Sequence, residues 1–248
     1  MRAVGIIPAR LRSTRFDAKP LALICGKPMI QHTFEAASKS TKLAGLFVAT
    51  DAQEIAAIVQ ATGGHQAAIL TESAIPTGTE RVAQALKMLD TSYDIVVNIQ
   101  GDEPGVNAKH IDLCIEALEN DKDCVMSSLI APVSDEKEAR SHHVVKCVTN
   151  AQMHAMYFSR ALIPASKDDT FDPTRTMKHI GLYAYRLSFL LDIFPTLPSP
   201  LGQIEDLEQL RVLEAGYKIK MVRVDHANPG VDLPEDIAKL EAILSLQQ

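Results

Sequence analysis

The sequence lacks the short motifs that most often mark a phosphate-binding loop or a structural metal. No Gly-x4-Gly-Lys-Ser/Thr is present, and no Gly-x-Gly-x-x-Gly follows a predicted strand, so neither a Walker loop nor a dinucleotide-binding fingerprint is expected. The four cysteines, Cys25, Cys114, Cys124 and Cys147, have no Cys-x-x-Cys spacing, which argues against zinc and against a disulfide framework. We expect them to be buried thiols in a reducing cytoplasm.

The sequence also has no long apolar run and no excess of positive charge. No apolar stretch approaches the about 20 residues needed to span a bilayer. Arg10 and Arg12 interrupt the start before the apolar core of a signal peptide could develop. The net charge is -6 over 248 residues, whereas binding a nucleic-acid backbone normally needs a cationic face. We therefore expect neither membrane insertion nor a nucleic-acid partner.

The order of hydrophobic segments predicts an α/β fold with a mostly parallel, Rossmann-like central sheet and flanking helices. Strand-like and helix-like segments alternate in the first half, as in βαβ units. Asp51 and Glu54 predict the start of the second helix, and Gly63-Gly64 its end. Strands are predicted at 4–8, 46–50, 66–70, 94–100 and 125–131, and helices at 29–40, 53–62, 79–89 and 108–120.

Residues 143–186 predict a β-rich insertion with antiparallel strands. VVKCVT, AMYFS and GLYAY are strand-like, and the short NAQMH segment joins the first two. No internal repeat or low-complexity linker divides the chain. The prediction is therefore a single domain, 1–248, that carries this insertion.

A basic loop follows the first predicted strand. Residues 4–21 read VGIIPARLRSTRFDAKPL, with four cations between Arg10 and Lys19 against Asp17 alone. An apolar run without alternation is typical of a parallel strand buried on both faces, and its carboxyl end opens onto a ligand crevice. Four cations at that point predict a polyanionic ligand. The alternative is a basic loop that simply faces water.

Two acidic segments are candidates for holding a metal beside that ligand. Asp102 follows the predicted strand DIVVNIQ, and Asp232 lies just before a proline that can open the last helix. Each alone is also typical of a turn residue or a helix cap. Together, across a triphosphate from the cations, they match the one or two carboxylates with which proteins hold Mg²⁺.

The basic loop resembles the signature loop of the sugar-activating cytidylyltransferases. The shared order is apolar-apolar-Pro-Ala-Arg-x-x-Ser-Thr-Arg-x-x-x-Lys-Pro-Leu, except that Asp17-Ala18 replaces the usual Pro-Gly. The closest likeness is to the family that makes CMP-Kdo from CTP and 3-deoxy-manno-octulosonate (Kdo). It runs from Val4 to about Ile237 through QGDEP, YFSRA, HIGxYAYR, LEQLR and VDxPED.

This resemblance implies a magnesium-dependent nucleotidyltransferase with a nucleotide-diphospho-sugar transferase-like fold, acting in lipopolysaccharide biosynthesis. It would move CMP from CTP to the anomeric hydroxyl of Kdo and release pyrophosphate. Arg10 and Lys19 would hold the triphosphate, and Asp102 and Asp232 the metal; these four are the predicted catalytic residues. The residues implied at CTP are Ala9, Arg10, Ser13, Thr14, Lys19, Thr71, Gly78, Arg81 and Gln100.

The acceptor implied by the resemblance is an eight-carbon sugar acid. Arginine is the side chain that grips a carboxylate bidentately. The residues implied at the sugar are Arg15, Gln100, Arg160, His179, Tyr183, Glu208 and Gln209. The resemblance also implies a symmetric homodimer formed through 143–186.

Other functions stay open at this point. Gly105 and Gly202 stand where relatives often carry larger or acidic residues, and if they border the acceptor pocket, 8-amino-Kdo would be favoured. A sialic acid is another possible acceptor. A non-catalytic nucleotide-sugar binder would have no need of an intact metal pair, and a dinucleotide-dependent dehydrogenase would need the missing glycine fingerprint.

Overall fold

The computed structural model describes residues 1–11, 16–89, 92–226, 228, 230–231 and 233–245. They form two compact units: unit 1 is Met1–Asp112 with Asn228–Gln248, and unit 2 is Leu113–Ala227. The organisation of 1–248 as a single domain stays a prediction. Among the described residues, no helix combines the length and the apolar character needed to cross a membrane.

Strands and helices alternate along the first half of the chain, as the hydrophobic pattern predicted. The strands are β1 (Ala3–Ala9), β2 (Leu23–Ile24), β3 (Lys27–Pro28), β4 (Leu43–Thr50), β5 (Ala68–Leu70), β6 (Ile95–Asn98), β7 (Cys124–Pro132), β8 (Lys146–Thr149), β9 (Ala155–Ser159), β10 (Met177–Arg186) and β11 (Lys218–Arg223). The α-helices are α1 (Met29–Ala37), α2 (Gln53–Gly63), α3 (Gly78–Lys87), α4 (Ala108–Asn120), α5 (Glu136–Arg140), α6 (Pro200–Glu205), α7 (Leu210–Glu214) and α8 (Glu235–Ser245).

Unit 1 is built on a parallel sheet in the order β6-β1-β4-β5. In β1, Ile6 lies opposite Phe47 on one side and Asn98 on the other. Six of its seven residues are buried, as expected for a strand covered on both faces. Because the strands are parallel, the loops that follow β1 and β6 leave the sheet at the same edge.

Local signals set the ends of the helices around this sheet, with one correction. The Thr77 hydroxyl accepts the Glu80 N–H at 3.1 Å, so α3 begins at Gly78. Helix α2 ends at Gly63, and Gly64 takes a φ of 88°, as predicted. The predicted cap at Asp51 is wrong, because the N-cap residue of α2 is Ala52 and no side chain caps it.

Unit 2 is richer in antiparallel pairing. Strand β7 pairs in parallel with β11 and antiparallel with β10, and β8 pairs antiparallel with both β10 and β9. The strands β8, β9 and β10 confirm the β-rich segment predicted within 143–186. The predicted fold class, a mostly parallel sheet with flanking helices and added antiparallel strands, is also confirmed.

The cysteines, all in the described part of the chain, are free thiols, which agrees with the absence of a disulfide framework. Cys114, Cys124 and Cys147 are buried as predicted. Cys25 is exposed, so the prediction for that residue is wrong: it lies in the tight turn between β2 and β3 with a φ of 49°. A turn at the surface leaves its side chain without a core to enter.

Candidate nucleotide site

A pocket of about 310 Å³ opens in unit 1 beyond the ends of β1 and β6. The parallel sheet brings together the two loops that the sequence singled out, although 83 positions separate Lys19 from Asp102. Its lining residues are Pro8, Ala9, Arg10, Lys19, Pro20, Ile75, Pro76, Thr77, Gly78, Arg81, Gln100, Gly101 and Asp102. Three cations and one carboxylate therefore face the same space.

Lys19 and Asp102 form an ion pair in this pocket. Lys19 Nζ donates to Asp102 Oδ2 at 2.6 Å and to the Val231 carbonyl at 2.8 Å. The Val231 N–H in turn donates to the Asp102 carbonyl at 2.9 Å. These contacts hold Lys19 against the turn after β6, and they place Val231 beside the same turn.

The neighbouring carboxyl, Glu103, has a strongly perturbed pKa. Burial, and then the charge of Asp102, raise the pKa of Glu103 to about 8. The pKa of Glu103 is therefore much closer to neutral pH than that of an ordinary carboxyl group.

Arg81 also lines the pocket and lies on the first turns of α3. Its Nη1 donates to Thr71 Oγ1 at 2.5 Å and to the Glu72 carbonyl at 3.2 Å. The residue is only 2% exposed, and burial lowers the pKa of its guanidinium. The predicted residue Thr71 thus anchors Arg81 and does not itself line the pocket.

Most of the predicted nucleotide residues within the described part of the chain therefore share one pocket. Those that line it are Ala9, Arg10, Lys19, Gly78, Arg81, Gln100 and Asp102. The predicted residues Ser13, Thr14, Arg15 and Asp232 lie outside the described residues.

The predicted acceptor-side residues that the structure describes, apart from Gln100, lie in unit 2. Arg160 is held by backbone carbonyls: its Nε donates to Glu205 O at 2.6 Å and its Nη1 to His142 O at 3.0 Å. Its own carbonyl accepts the buried Lys146 ammonium at 2.7 Å. The arginine is thus fixed in place by its surroundings.

His179 is held as a neutral ring. Its Nε2 is 2.8 Å from Ser128 Oγ, and its ring centroid lies 5.0 Å from that of Phe158 and 5.4 Å from that of Tyr183. Burial lowers the pKa of His179 to about 3. At neutral pH it can donate or accept a hydrogen bond but carries no charge.

Glu208 and Gln209 precede α7. Gln209 is 4% exposed, and its Nε2 has no hydrogen-bond partner among the described residues. A buried donor without a partner costs about 1 to 3 kcal/mol. A polar ligand that accepts from this amide would remove that cost.

The two glycines that depart from the family pattern are explained by packing against their own neighbours. A Cβ on Gly202 would overlap Ser199 Oγ and come within 2.9 Å of the Leu207 carbonyl. A Cβ on Gly105 would come within 2.9 Å of Asn228 Cβ, and the Asn228 amide donates to the Gly105 carbonyl at 2.8 Å. Neither glycine lines the pocket described above.

A cluster of possible metal ligands in unit 2 is already satisfied by ion pairing. The ligand atoms of Asp121, Cys124 and His154 lie within 4.8 Å of one another. Asp121 Oδ2, however, is 2.8 Å from His154 Nε2 and 3.2 Å from Lys220 Nζ. The hydrogen bond from His154 is the largest cause that lowers the pKa of Asp121 to about 2, so the carboxylate is neutralised without a metal.

Sequence reasoning missed several residues at the pocket. Pro20, Ile75 and Gly101 line it, but their types carry no chemical signal in the sequence. Asp51 was interpreted as a helix cap, whereas its carboxylate accepts the N–H of Leu11 at 3.1 Å. Only the fold, which joins residues 40 positions apart, could have revealed that contact.

Comparisons with known proteins identify the family of this chain. A family model described as cytidylyltransferase matches residues 4–219. The chain is 46% identical to the 3-deoxy-manno-octulosonate cytidylyltransferase of Protochlamydia amoebophila, over 98% of this chain and 95% of the relative. It is 45% identical to the protein of the same name from Zea mays, over 98% of this chain and 81% of the relative.

Two solved structures share the fold of this chain. A CMP:2-keto-3-deoxy-manno-octonic acid synthetase complexed with CTP superposes with a TM-score of 0.92 and 35% identity, covering 100% of both chains. A 4-diphosphocytidyl-2C-methyl-D-erythritol synthase from Anaerococcus prevotii shares the fold at 16% identity, with a TM-score of 0.66 over 98% of this chain and 96% of that one.

Proposed function

The chain belongs to the cytidylyltransferase family, and on that premise we propose that it transfers CMP from CTP to the anomeric hydroxyl of Kdo and releases pyrophosphate. The observation that carries the proposal is the pocket of unit 1, which Arg10, Lys19 and Arg81 line together with Asp102. On a chain of net charge -6, this local concentration of cations suits a triphosphate.

The proposed chemistry needs positioning and charge stabilisation more than covalent help from the protein. We propose that Lys19 and Arg10 neutralise the departing pyrophosphate, because both line the pocket. We propose that Arg81, which Thr71 and Glu72 hold in place, contacts the nucleoside part of CTP. The acceptor oxygen would displace pyrophosphate directly, in line, at the α-phosphorus.

The residues present fit a magnesium ion. Asp102 offers carboxylate oxygens inside a pocket that three cations also line, and hard oxygen ligands are those that Mg²⁺ prefers. We propose that Asp102 and Asp232 hold it. When bound, the ion would supply charge neutralisation and lower the pKa of the acceptor hydroxyl.

On the acceptor side we propose the residues implied by the resemblance: Arg160, His179, Tyr183, Glu208 and Gln209, with Arg15 and Gln100. Each guanidinium nitrogen of Arg160 already donates to a backbone carbonyl, and we propose that the remaining N–H groups bind the carboxylate of a sugar acid. The buried Gln209 amide, without a partner among the described residues, suits a sugar hydroxyl. We further propose a cytoplasmic homodimer that serves lipopolysaccharide biosynthesis.

A pyrophosphate-release assay tests the proposal. The protein is incubated with Mg²⁺, one nucleoside triphosphate at a time, and Kdo, 8-amino-Kdo or a sialic acid. We expect release with CTP and Kdo, with little release when the sugar is omitted or when ATP replaces CTP. Equal release without any sugar would contradict the transfer reaction, and a strong preference for 8-amino-Kdo or a sialic acid would reassign the acceptor.

A further inference from the structure

We propose that Asp51 is a positioning residue for the nucleotide pocket, because its one carboxylate holds both the start of the basic loop and the guanidinium of Arg81. The inference rests on the proposed function, since it names a residue that shapes the CTP site without lining it. Asp51 follows β4 directly, at the same edge of the sheet from which the loops after β1 and β6 emerge.

The two oxygens of Asp51 serve different segments. Oδ1 accepts the Leu11 N–H at 3.1 Å, immediately after Arg10. Oδ2 faces Arg81 Nη2 at 3.7 Å. The Asp51 side chain is 12% exposed and that of Arg81 is 3% exposed, so solvent screens the pair only weakly.

Arg81 needs this counter-charge. Its Nη1 is used by Thr71 and Glu72, whereas Nη2 is buried and has no hydrogen-bond partner among the described residues. Burial disfavours the charged guanidinium, the charge of Asp51 favours it, and the charge of Arg10 opposes it. Asp51 thus offsets the repulsion between two cations that must stand together before an anionic ligand arrives.

The other role open to Asp51 is excluded by its contacts. As a helix cap it would accept an N–H from the first turn of α2, but that helix has no side-chain cap. The Ala52 N–H is taken by Thr50 Oγ1 at 3.2 Å. The carboxylate is therefore directed to Leu11 and Arg81, and its bond to Leu11 fixes the backbone next to Arg10.

Two variants separate the parts of this role. Asp51→Asn keeps the shape and an oxygen for the Leu11 N–H but removes the charge that faces Arg81. Asp51→Ala removes both. The matched control is Asp112→Asn, because Asp112 also accepts backbone N–H groups in unit 1, from Thr41 and Lys42 at 3.1 Å each, and does not line the pocket.

The experiment measures CTP binding by isothermal titration calorimetry with Mg²⁺ and without sugar, alongside the melting temperature and the KM for Kdo at saturating CTP. We expect the Kd for CTP to rise about tenfold in Asp51→Asn, because Arg81 then loses the counter-charge that positions it beside Arg10, and further in Asp51→Ala. The KM for Kdo should stay near the wild-type value, and Asp112→Asn should bind CTP normally.

A double-mutant comparison shows whether Asp51 acts through Arg81. In an Arg81→Gln background, Asp51→Asn should add less than a twofold change in the Kd for CTP. An unchanged Kd in Asp51→Asn, a full tenfold effect in the Arg81→Gln background, or an equal loss of CTP binding in Asp112→Asn would overturn the inference. If the wild-type protein itself does not bind CTP, the proposed function fails, which is a separate outcome.

Discussion

Asp102→Asn separates a catalytic role of this carboxylate from a structural one. The ion pair with Lys19 is short, at 2.6 Å, but the Asp102 side chain is 38% exposed. An ion pair that open to solvent contributes at most about 1 kcal/mol to stability. Asparagine also keeps an oxygen that can accept from Lys19. We therefore expect the free energy of unfolding to change by about 1 kcal/mol or less.

The effect of Asp102→Asn on turnover should be much larger than its effect on stability. Removing one carboxylate from a metal-assisted phosphoryl-transfer site should slow the reaction by at least about a hundredfold, which corresponds to about 2.7 kcal/mol of transition-state stabilisation. The assay is kcat for pyrophosphate release, measured beside urea unfolding of the same preparation. Asp232 is the second proposed metal ligand, and Asp232→Asn should likewise lose turnover with little change in the free energy of unfolding.

The matched control is Asp94→Asn. Asp94 precedes β6, at the opposite end of the strand from Asp102, and its carboxylate accepts the Arg2 N–H at 2.7 Å. It should keep near-normal turnover. Near-normal turnover in Asp102→Asn would refute the metal assignment. A decrease in turnover that is fully accounted for by a decrease in the folded fraction of the protein would refute it as well.

Three further predictions follow from individual contacts. Lys19→Ala should raise the KM for CTP by tenfold or more and leave the KM for Kdo nearly unchanged, because a charge-assisted contact is worth about 1.5 to 3 kcal/mol; the reverse pattern would mean that the loop is misassigned. The pKa of His179 is lowered from 6.5 to about 3 in the folded chain, so between these pH values the imidazole is protonated in the unfolded chain and neutral in the folded one. The free energy of unfolding should therefore decrease as the pH drops below about 6.5, by at most about 1.4 kcal/mol per pH unit. In urea unfolding at pH 7 and pH 5, His179→Gln should reduce this decrease. Gly202→Glu should lower the melting temperature, because its Cβ would overlap Ser199; an unchanged melting temperature with an altered preference for 8-amino-Kdo over Kdo would instead place Gly202 at the acceptor.

The regular elements were predictable because they depend on local patterns. Helix α4 occupies 108–120, the same bounds that hydrophobic periodicity predicted, and β1 differs from its prediction by one residue at each end. Buried parallel strands read as apolar runs bounded by polar loops. The pocket followed from the rule that ligands bind at the carboxyl ends of such strands.

Contacts between distant residues could not be predicted in the same way. Lys19 and Asp102 were both predicted at one site, but nothing in the sequence indicated that they form an ion pair with each other. Asp51 matched a helix-capping pattern, but its carboxylate instead contacts Leu11 and Arg81, which lie 40 and 30 positions away in the sequence. Gly202 was a candidate for setting the choice of acceptor, but the sequence could not show that a Cβ there would overlap Ser199 Oγ and come within 2.9 Å of the Leu207 carbonyl.

The most direct test of the account follows the oxygen atom of the acceptor. Kdo labelled with oxygen-18 at its anomeric hydroxyl is incubated with CTP, Mg²⁺ and the protein, and the products are analysed by phosphorus NMR and mass spectrometry. We predict that the label appears in the bond between the sugar and the α-phosphorus of CMP-Kdo, and that pyrophosphate stays unlabelled. Label in the pyrophosphate, an unlabelled bridge, or no CMP-sugar at all would contradict it.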